Sequence, residues 1–224
     1  LLDFPPETFT IGTNRKSVEG GALEMPANIN IRIFSDFTCP FCYLGAAVIE
    51  KLKGEFDIHE EWISYELHPE TPEEGILLTE RFPDHDLDAL FEELRIKGAP
   101  YGCEFGDVAL LSNSRKALEA GEFARDHGKH HAFHSAVFRA YFAEARDIGQ
   151  VPVLLNLANQ VGLDAGELRK ALTENRYQDR LQKGREEGEQ YNVSVLPTFF
   201  FDNGEKIVGL RPIEAFRKLI INLL

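Results

Sequence analysis

Long apolar runs are missing from this chain: none approaches the ~20 residues needed to cross a bilayer, so no membrane partner is expected. The opening stretch LLDFPPETFT has no basic segment leading into an apolar one, the pattern of an export signal. Basic charge is scarce too, with 24 Lys and Arg against 37 Asp and Glu and a formal net charge of -13. Gripping a phosphate backbone depends on basic side chains that release counterions, so nucleic acid is not an expected partner. Cysteine is limited to Cys39, Cys42 and Cys103, an odd number and too few for a secreted disulfide framework. The cytoplasm is the expected compartment.

What is present suits a folded core. At 224 residues and 43% hydrophobic composition, the chain is long enough for one large domain, or a small one carrying a second, without disulfide staples. Residues 1–28 are rich in Pro, Gly and polar groups and read as an N-terminal extension with one short strand at Thr8 to Ile11. From Ile29 to Ile33 apolar and polar residues alternate, the period of a strand. Beyond Pro40, Leu44, Val48, Ile49 and Leu52 fall at helical spacing until Gly54. Phe56 to Leu67 is aromatic and β-branched, a second strand.

A long stretch then carries only helical signals, including the apolar sets Leu87, Leu90, Phe91, Leu94 and Phe133, Val137, Tyr141, and a capping start at Asp164 with Glu167. Strand character returns from Ser194 to Leu210 around Asn203-Gly204, a hairpin turn in which both residues tolerate positive φ. Pro212 opens a last helix. The predicted division is 29–75 and 192–224 sharing one sheet, with a helical block, 76–191, inserted between them: an α/β fold split by an all-α insertion.

The chemistry concentrates in FSDFTCPFCYLG, residues 34 to 45. Cys39 falls where strand gives way to helix, so unpaired N–H groups and the positive end of the helix dipole favour its thiolate. Cys42, one turn on, is placed to attack a mixed disulfide formed on Cys39, and Pro40 and Phe41 leave an uncharged rim for a substrate. Structural zinc needs four ligands, and no second CxxC or CxxH is present, so no metal is expected here. In VLPTFFFD, Pro197 stands at the start of a strand, where it donates no ladder bond. A cis bond after Leu196 accounts for it and leaves the Leu196 backbone to pair with an extended substrate.

Other features read more plainly. His127, His130, His131 and His134 recur at intervals of three and four, a metal-ligand spacing weakened by Gly128 and more often that of solvated or partly packed residues. Cys103 reads as a small apolar filler near a loop, with a redox-sensing role as the alternative. Glu60-Glu61, Glu73-Glu74 and Glu186-Glu187 read as solvated faces, and Phe199, Phe200 and Phe201 as sheet core.

Taken together, IFSDFTCPFCYLG, YELHPETPEEG, FRAYFAEARDIGQVPVLLNLANQVGLD and VSVLPTFFFDNGEKIVGLRP resemble the thioredoxin-fold DsbA superfamily, most closely its FrnE-like branch, over about residues 29 to 223. The resemblance implies a thioredoxin-like fold with an inserted helical domain. It also implies a nucleophilic Cys39, a resolving Cys42 and a cis Pro197 facing them. Two departures stand out. Ile33 occupies the place, six residues before the first cysteine, where many relatives carry a buried carboxylate, and Phe41 replaces the histidine of the strongly oxidising members. A milder redox couple is expected, opposed further by Asp36 if it faces the pair.

The expected function is thiol–disulfide exchange on a protein or small molecule, with no cofactor beyond the Cys39–Cys42 pair and with glutathione as a candidate substrate. Two rivals differ in class. Glutathione-dependent isomerases resembling 2-hydroxychromene-2-carboxylate isomerase typically carry Ser at the position of Cys39. A non-catalytic peptide-binding or chaperone-like module would bind unfolded chains without either thiol.

Overall fold

The structure is a computed structural model and describes residues 28–224; residues 1–27 of the extension, with the strand expected at Thr8 to Ile11, lie outside them. Strand β1, Ile29–Ser35, runs into helix α1, Pro40–Lys53, which returns to β2, Ile58–Ser64, paired parallel to β1. Parallel neighbours require such a crossover. Pro40 in the first turn and Lys51 and Lys53 in the last suit the two ends of the helix dipole. The second strand is shorter than predicted, because the chain leaves the ladder after Ser64.

Near the C-terminus, β5, Thr198–Phe201, pairs antiparallel with β1, and β6, Lys206–Val208, pairs with β5. The sheet order is β2-β1-β5-β6, so the first and last parts of the described chain share one sheet. The hairpin differs in detail from the expected two-residue turn. Asp202, Asn203 and Gly204 form a three-residue loop in which only Gly204 takes positive φ (85°), as in a loop closing through a glycine bulge.

The alternation of β1 sets the layers. Ile29, Ile31 and Ile33 join Phe199 and Phe201 against α1 and the last helix, α9, Ile213–Leu223. Phe34 and the half-buried Phe200 face the other way, with rings 5.7 Å apart.

Between β2 and β5 the chain is mostly helical: α2 Leu78–Arg81, α3 Leu87–Gly98, α4 Arg115–Asp126, α5 His130–Phe142, α6 Val151–Gln160, α7 Ala165–Thr173 and α8 Gln178–Gln190. One feature departs from the helical expectation, a pair of two-residue strands, β3 Ile76–Leu77 and β4 Leu110–Leu111. Asp164 caps α7 through Gly166 N–H (2.8 Å) and Glu167 N–H (3.0 Å). Helix α8 lies so close to the end of β2 that a Cβ on Gly184 would sit 2.5 Å from the Ser64 carbonyl oxygen. Among the described residues no helix is long and apolar enough to cross a membrane.

Candidate active site at the start of the first helix

Cys39 is the residue that caps α1, with extended backbone (φ -87°, ψ 114°), and its N–H donates to the Asp36 carbonyl (3.2 Å). Its carbonyl accepts from the N–H groups of Cys42 (3.0 Å) and Tyr43 (3.3 Å), which closes the first turn over the CPFC segment. The sulfur makes no capping bond to the helix. It donates instead to the carbonyl oxygen of Leu196, 3.6 Å away, across the chain from it. The Leu196–Pro197 bond is cis, so the loop before β5 faces the start of α1.

That approach depends on a residue the sequence reading passed over. Gly45 is buried, and a Cβ there would stand 3.1 Å from both Pro197 Cγ and Phe199 Cζ, so any larger residue would have to push the proline loop or Phe199 back by a few tenths of an ångström. Pro197 is anchored through its carbonyl by Gly209 N–H (2.8 Å), and Thr198 Oγ1 donates to Val195 O (2.6 Å). The expectation that the Leu196 backbone stands free is half corrected. Its carbonyl is taken by Cys39, while its N–H has no hydrogen-bond partner among the described residues.

All three cysteines are free thiols. Cys39 is 3% exposed and Cys42 fully buried, while Pro40 and Phe41 beside them are half-buried. Burial first, and then the neighbouring Cys39 sulfur, push the Cys42 thiol well above the ordinary cysteine range; the Ser35 hydroxyl and Asp36 backbone pull the other way and lose. Cys42 therefore holds its proton at neutral pH. Cys103 is also buried, and burial pushes its thiol up to about 11, consistent with a filler beside the turn at Gly102.

Asp36 has a different task from the one its position suggested. Its buried carboxylate accepts Thr38 N–H (2.8 Å), Thr38 Oγ1 (3.0 Å), Leu67 N–H (2.6 Å) and Ser114 Oγ (3.0 Å). It ties the loop carrying Cys39 to the chain beyond β2 and to the residue preceding α4. Burial raises its pKa, and the four hydrogen bonds only partly offset that.

The histidines do not converge. Helix α4 ends at Asp126, Gly128 takes positive φ (66°), and α5 begins at His130, so His127 is split from the rest. His127 Nδ1 lies 2.8 Å from Phe123 O, and His130 stacks on His134. His130 is half-buried rather than solvated, and burial, then Arg125 and His131, lower its pKa to about 3. Among the described residues no group of three or more His, Cys, Asp or Glu is placed to hold a metal. Three acidic residues read as solvated are ion-paired: Glu187 with Arg32, Glu61 with the same Arg32 at 2.8 Å, and Glu60 with Lys53 at 2.9 Å.

A mixed sheet with a CxxC pair at the mouth of its first helix, facing a cis-proline loop, and with helices between its two halves, defines a thioredoxin-like α/β protein of the interrupted type. The chain belongs to the DSBA-like thioredoxin domain family, which residues 30–220 match. It is 29% identical over 199 residues to the uncharacterized protein YwbO of Bacillus subtilis strain 168, covering 86% of this chain and 96% of that one. The crystal structure of a probable DsbA oxidoreductase, SCO1869 from Streptomyces coelicolor, superposes with a TM-score of 0.81 at 25% identity, over 87% of this chain and 89% of that chain. A 2-hydroxychromene-2-carboxylate isomerase shares the fold at 18% identity, TM-score 0.70, over 87% and 94% of the two chains.

Proposed function

We propose that this member of the DsbA-like family is a thiol–disulfide oxidoreductase working through Cys39 and Cys42, on its motifs of the FrnE-like branch. The observation that carries the reading is the Cys39 sulfur 3.6 Å from the carbonyl that precedes a cis proline, with Cys42 one turn further along the helix. In the reducing direction the Cys39 thiolate attacks a substrate disulfide. One substrate sulfur leaves and takes a proton, and Cys39 holds the other in a mixed disulfide. Cys42 loses its proton, attacks the Cys39 sulfur and expels the second substrate thiol, so two electrons pass from the pair to the substrate. Oxidation runs the same steps backwards.

Pro40 and Phe41 form the rim, and the unpaired Leu196 N–H offers an extended substrate one backbone bond. Substrates are disulfide- or dithiol-bearing proteins or small molecules, glutathione among them. The electrons reside on the sulfurs, so this reading requires no bound cofactor. The helical segment 76–191, joined to the thiol loop by Ser114 and Asp36, is the part that selects substrates. Cys39→Ser is expected to abolish reduction of insulin disulfides and oxidation of a model dithiol peptide. Cys42→Ser should instead trap a mixed disulfide on Cys39. Full turnover in Cys39→Ser would reject the assignment, and full activity with glutathione in Cys42→Ala would favour the isomerase class.

A further inference from the structure

A cleft of about 540 Å³ lies on the far side of α1 from the proline loop, between that helix, the face of β2, α5 and the turn around Tyr101. Neither Cys39 nor Cys42 lines it, nor do Leu196 and Pro197. Its volume is that of a small-molecule site, and such sites pair apolar walls with a few placed polar groups. The walls are flat. Tyr43 and Phe138 stack at 25° with ring centroids 5.5 Å apart, and Trp62 and Tyr101 supply two more ring surfaces.

Two polar groups in this lining lack partners. His134 is only 6% exposed and packs against Trp62 at 4.4 Å, yet its ring nitrogens have no hydrogen-bond partner among the described residues. A ligand in the cleft could take up that free hydrogen-bonding capacity. Lys51 extends over the Tyr101 ring at 5.4 Å with no carboxylate within 4 Å among the described residues. The carboxylates on the same walls are already engaged, Glu60 with Lys53 (2.9 Å) and Glu50 with Lys53 (3.5 Å) and His131 (3.8 Å). Arg139 on the same walls meets Glu144 (3.4 Å), so Lys51 is the cation of this lining that no carboxylate faces within 4 Å among the described residues.

We propose that this cleft is a second ligand site, for a planar aromatic molecule bearing one carboxylate. The rings sandwich the aromatic body, Lys51 meets the carboxylate, and His134 donates a hydrogen bond to it. Burial, and then His130, His131 and Arg125, hold the His134 pKa well below the ordinary range, so it acts as a neutral donor. The site is independent of thiol exchange and stands or falls apart from it.

Calorimetric titration of the reduced full chain with 2-naphthoate tests the site. Saturable binding below about 1 mM is expected for a ligand of that size. Lys51→Gln changes an exposed side chain and should weaken 2-naphthoate roughly 3- to 5-fold while leaving uncharged 2-naphthylmethanol unchanged. His134→Phe keeps the ring packing and should weaken 2-naphthoate about tenfold. Ala47→Trp, on the cleft wall, should block both ligands. Cys39→Ser should leave binding as it is. The proposal is overturned by no saturable binding at 5 mM (about five times the expected ceiling), by binding unaffected by Lys51→Gln and Ala47→Trp, or by binding lost in Cys39→Ser.

Discussion

The two faces of the central sheet divide the labour of this molecule. On one face Ile29, Ile31, Ile33, Phe199 and Phe201 close against Val48, Ile49 and Leu52 of α1 and Ile213, Phe216, Leu219 and Ile220 of α9, and the buried carboxylates Asp36, Glu119 and Glu122 all lie outside these elements. The other core runs from Phe34 into the helices and includes all three cysteines, with buried Asp36, Glu119 and Glu122 at its margins. Hydrocarbon packing is non-directional and tolerant of chemistry elsewhere, whereas buried polar groups are costly unless each is satisfied. Chemistry gathers on one face, and the opposite face supplies a rigid support. Helix α1 belongs to both, with Leu44 in the polar-rich core and Val48 in the hydrocarbon one.

The contrast is broken most forcefully from the hydrocarbon side. Phe216 is fully buried and meets Phe199 edge-on at 4.9 Å, so Phe216→Ala should cost about 3–5 kcal/mol in chemical denaturation. The alkylation rate of Cys39 in the folded fraction should stay unchanged; a changed rate would show that the two faces are coupled. Asp36→Ala is the converse. It strands the Thr38 and Leu67 N–H groups and two hydroxyls, offset in part by removal of a buried carboxyl, for a loss of about 2–3 kcal/mol. Here the alkylation rate of Cys39 should move with stability, since the loop that places it is untied. An unmoved rate would remove Asp36 from the positioning of the thiol.

Much of this division was legible in the residues. Alternation in β1 exposed the isoleucine face, and a proline at the head of an otherwise apolar strand pointed to its cis bond. The CPFC pair stood out because strand and helix signals met on it. What escaped notice depends on contacts between distant parts of the chain. The roles of Gly45 and Gly184 come from neighbours that approach them in space, Pro197 and Ser64, and nothing in their own flanks reveals it. The strands β3 and β4 are two residues each, too short to show a period against helical surroundings. Asp36, within an apolar run, read as a nearby charge because its four donors come from three separate segments. The histidine spacing was discounted on a signal the residues did carry, Gly128, because a regular spacing is only a shared face when no left-handed glycine interrupts the helix.

The smallest effect concerns the seam between the faces, where His134 touches Trp62. Burial lowers the pKa of His130 to about 3 and that of His134 well below the ordinary value; Arg125, His131 and each other are the charged groups facing them. Both imidazoles are neutral when folded and ordinary when unfolded, so below pH 6.5 the unfolded chain binds more protons and stability falls as pH falls. The limiting slope is about 1.4 kcal/mol per pH unit for each histidine. Glu55, Glu70, Glu93 and Asp126, whose pKa values are lowered, act in the same direction only below about pH 4.5, and Asp36, whose pKa is raised, acts in the opposite one. Between pH 6.5 and 4.5 the wild-type chain should therefore lose stability more steeply than His134→Phe, which drops one titrating group and keeps the ring. Equal slopes for the two proteins would mean that His134 takes up its proton without unfolding, and that the seam admits water more freely than its packing implies.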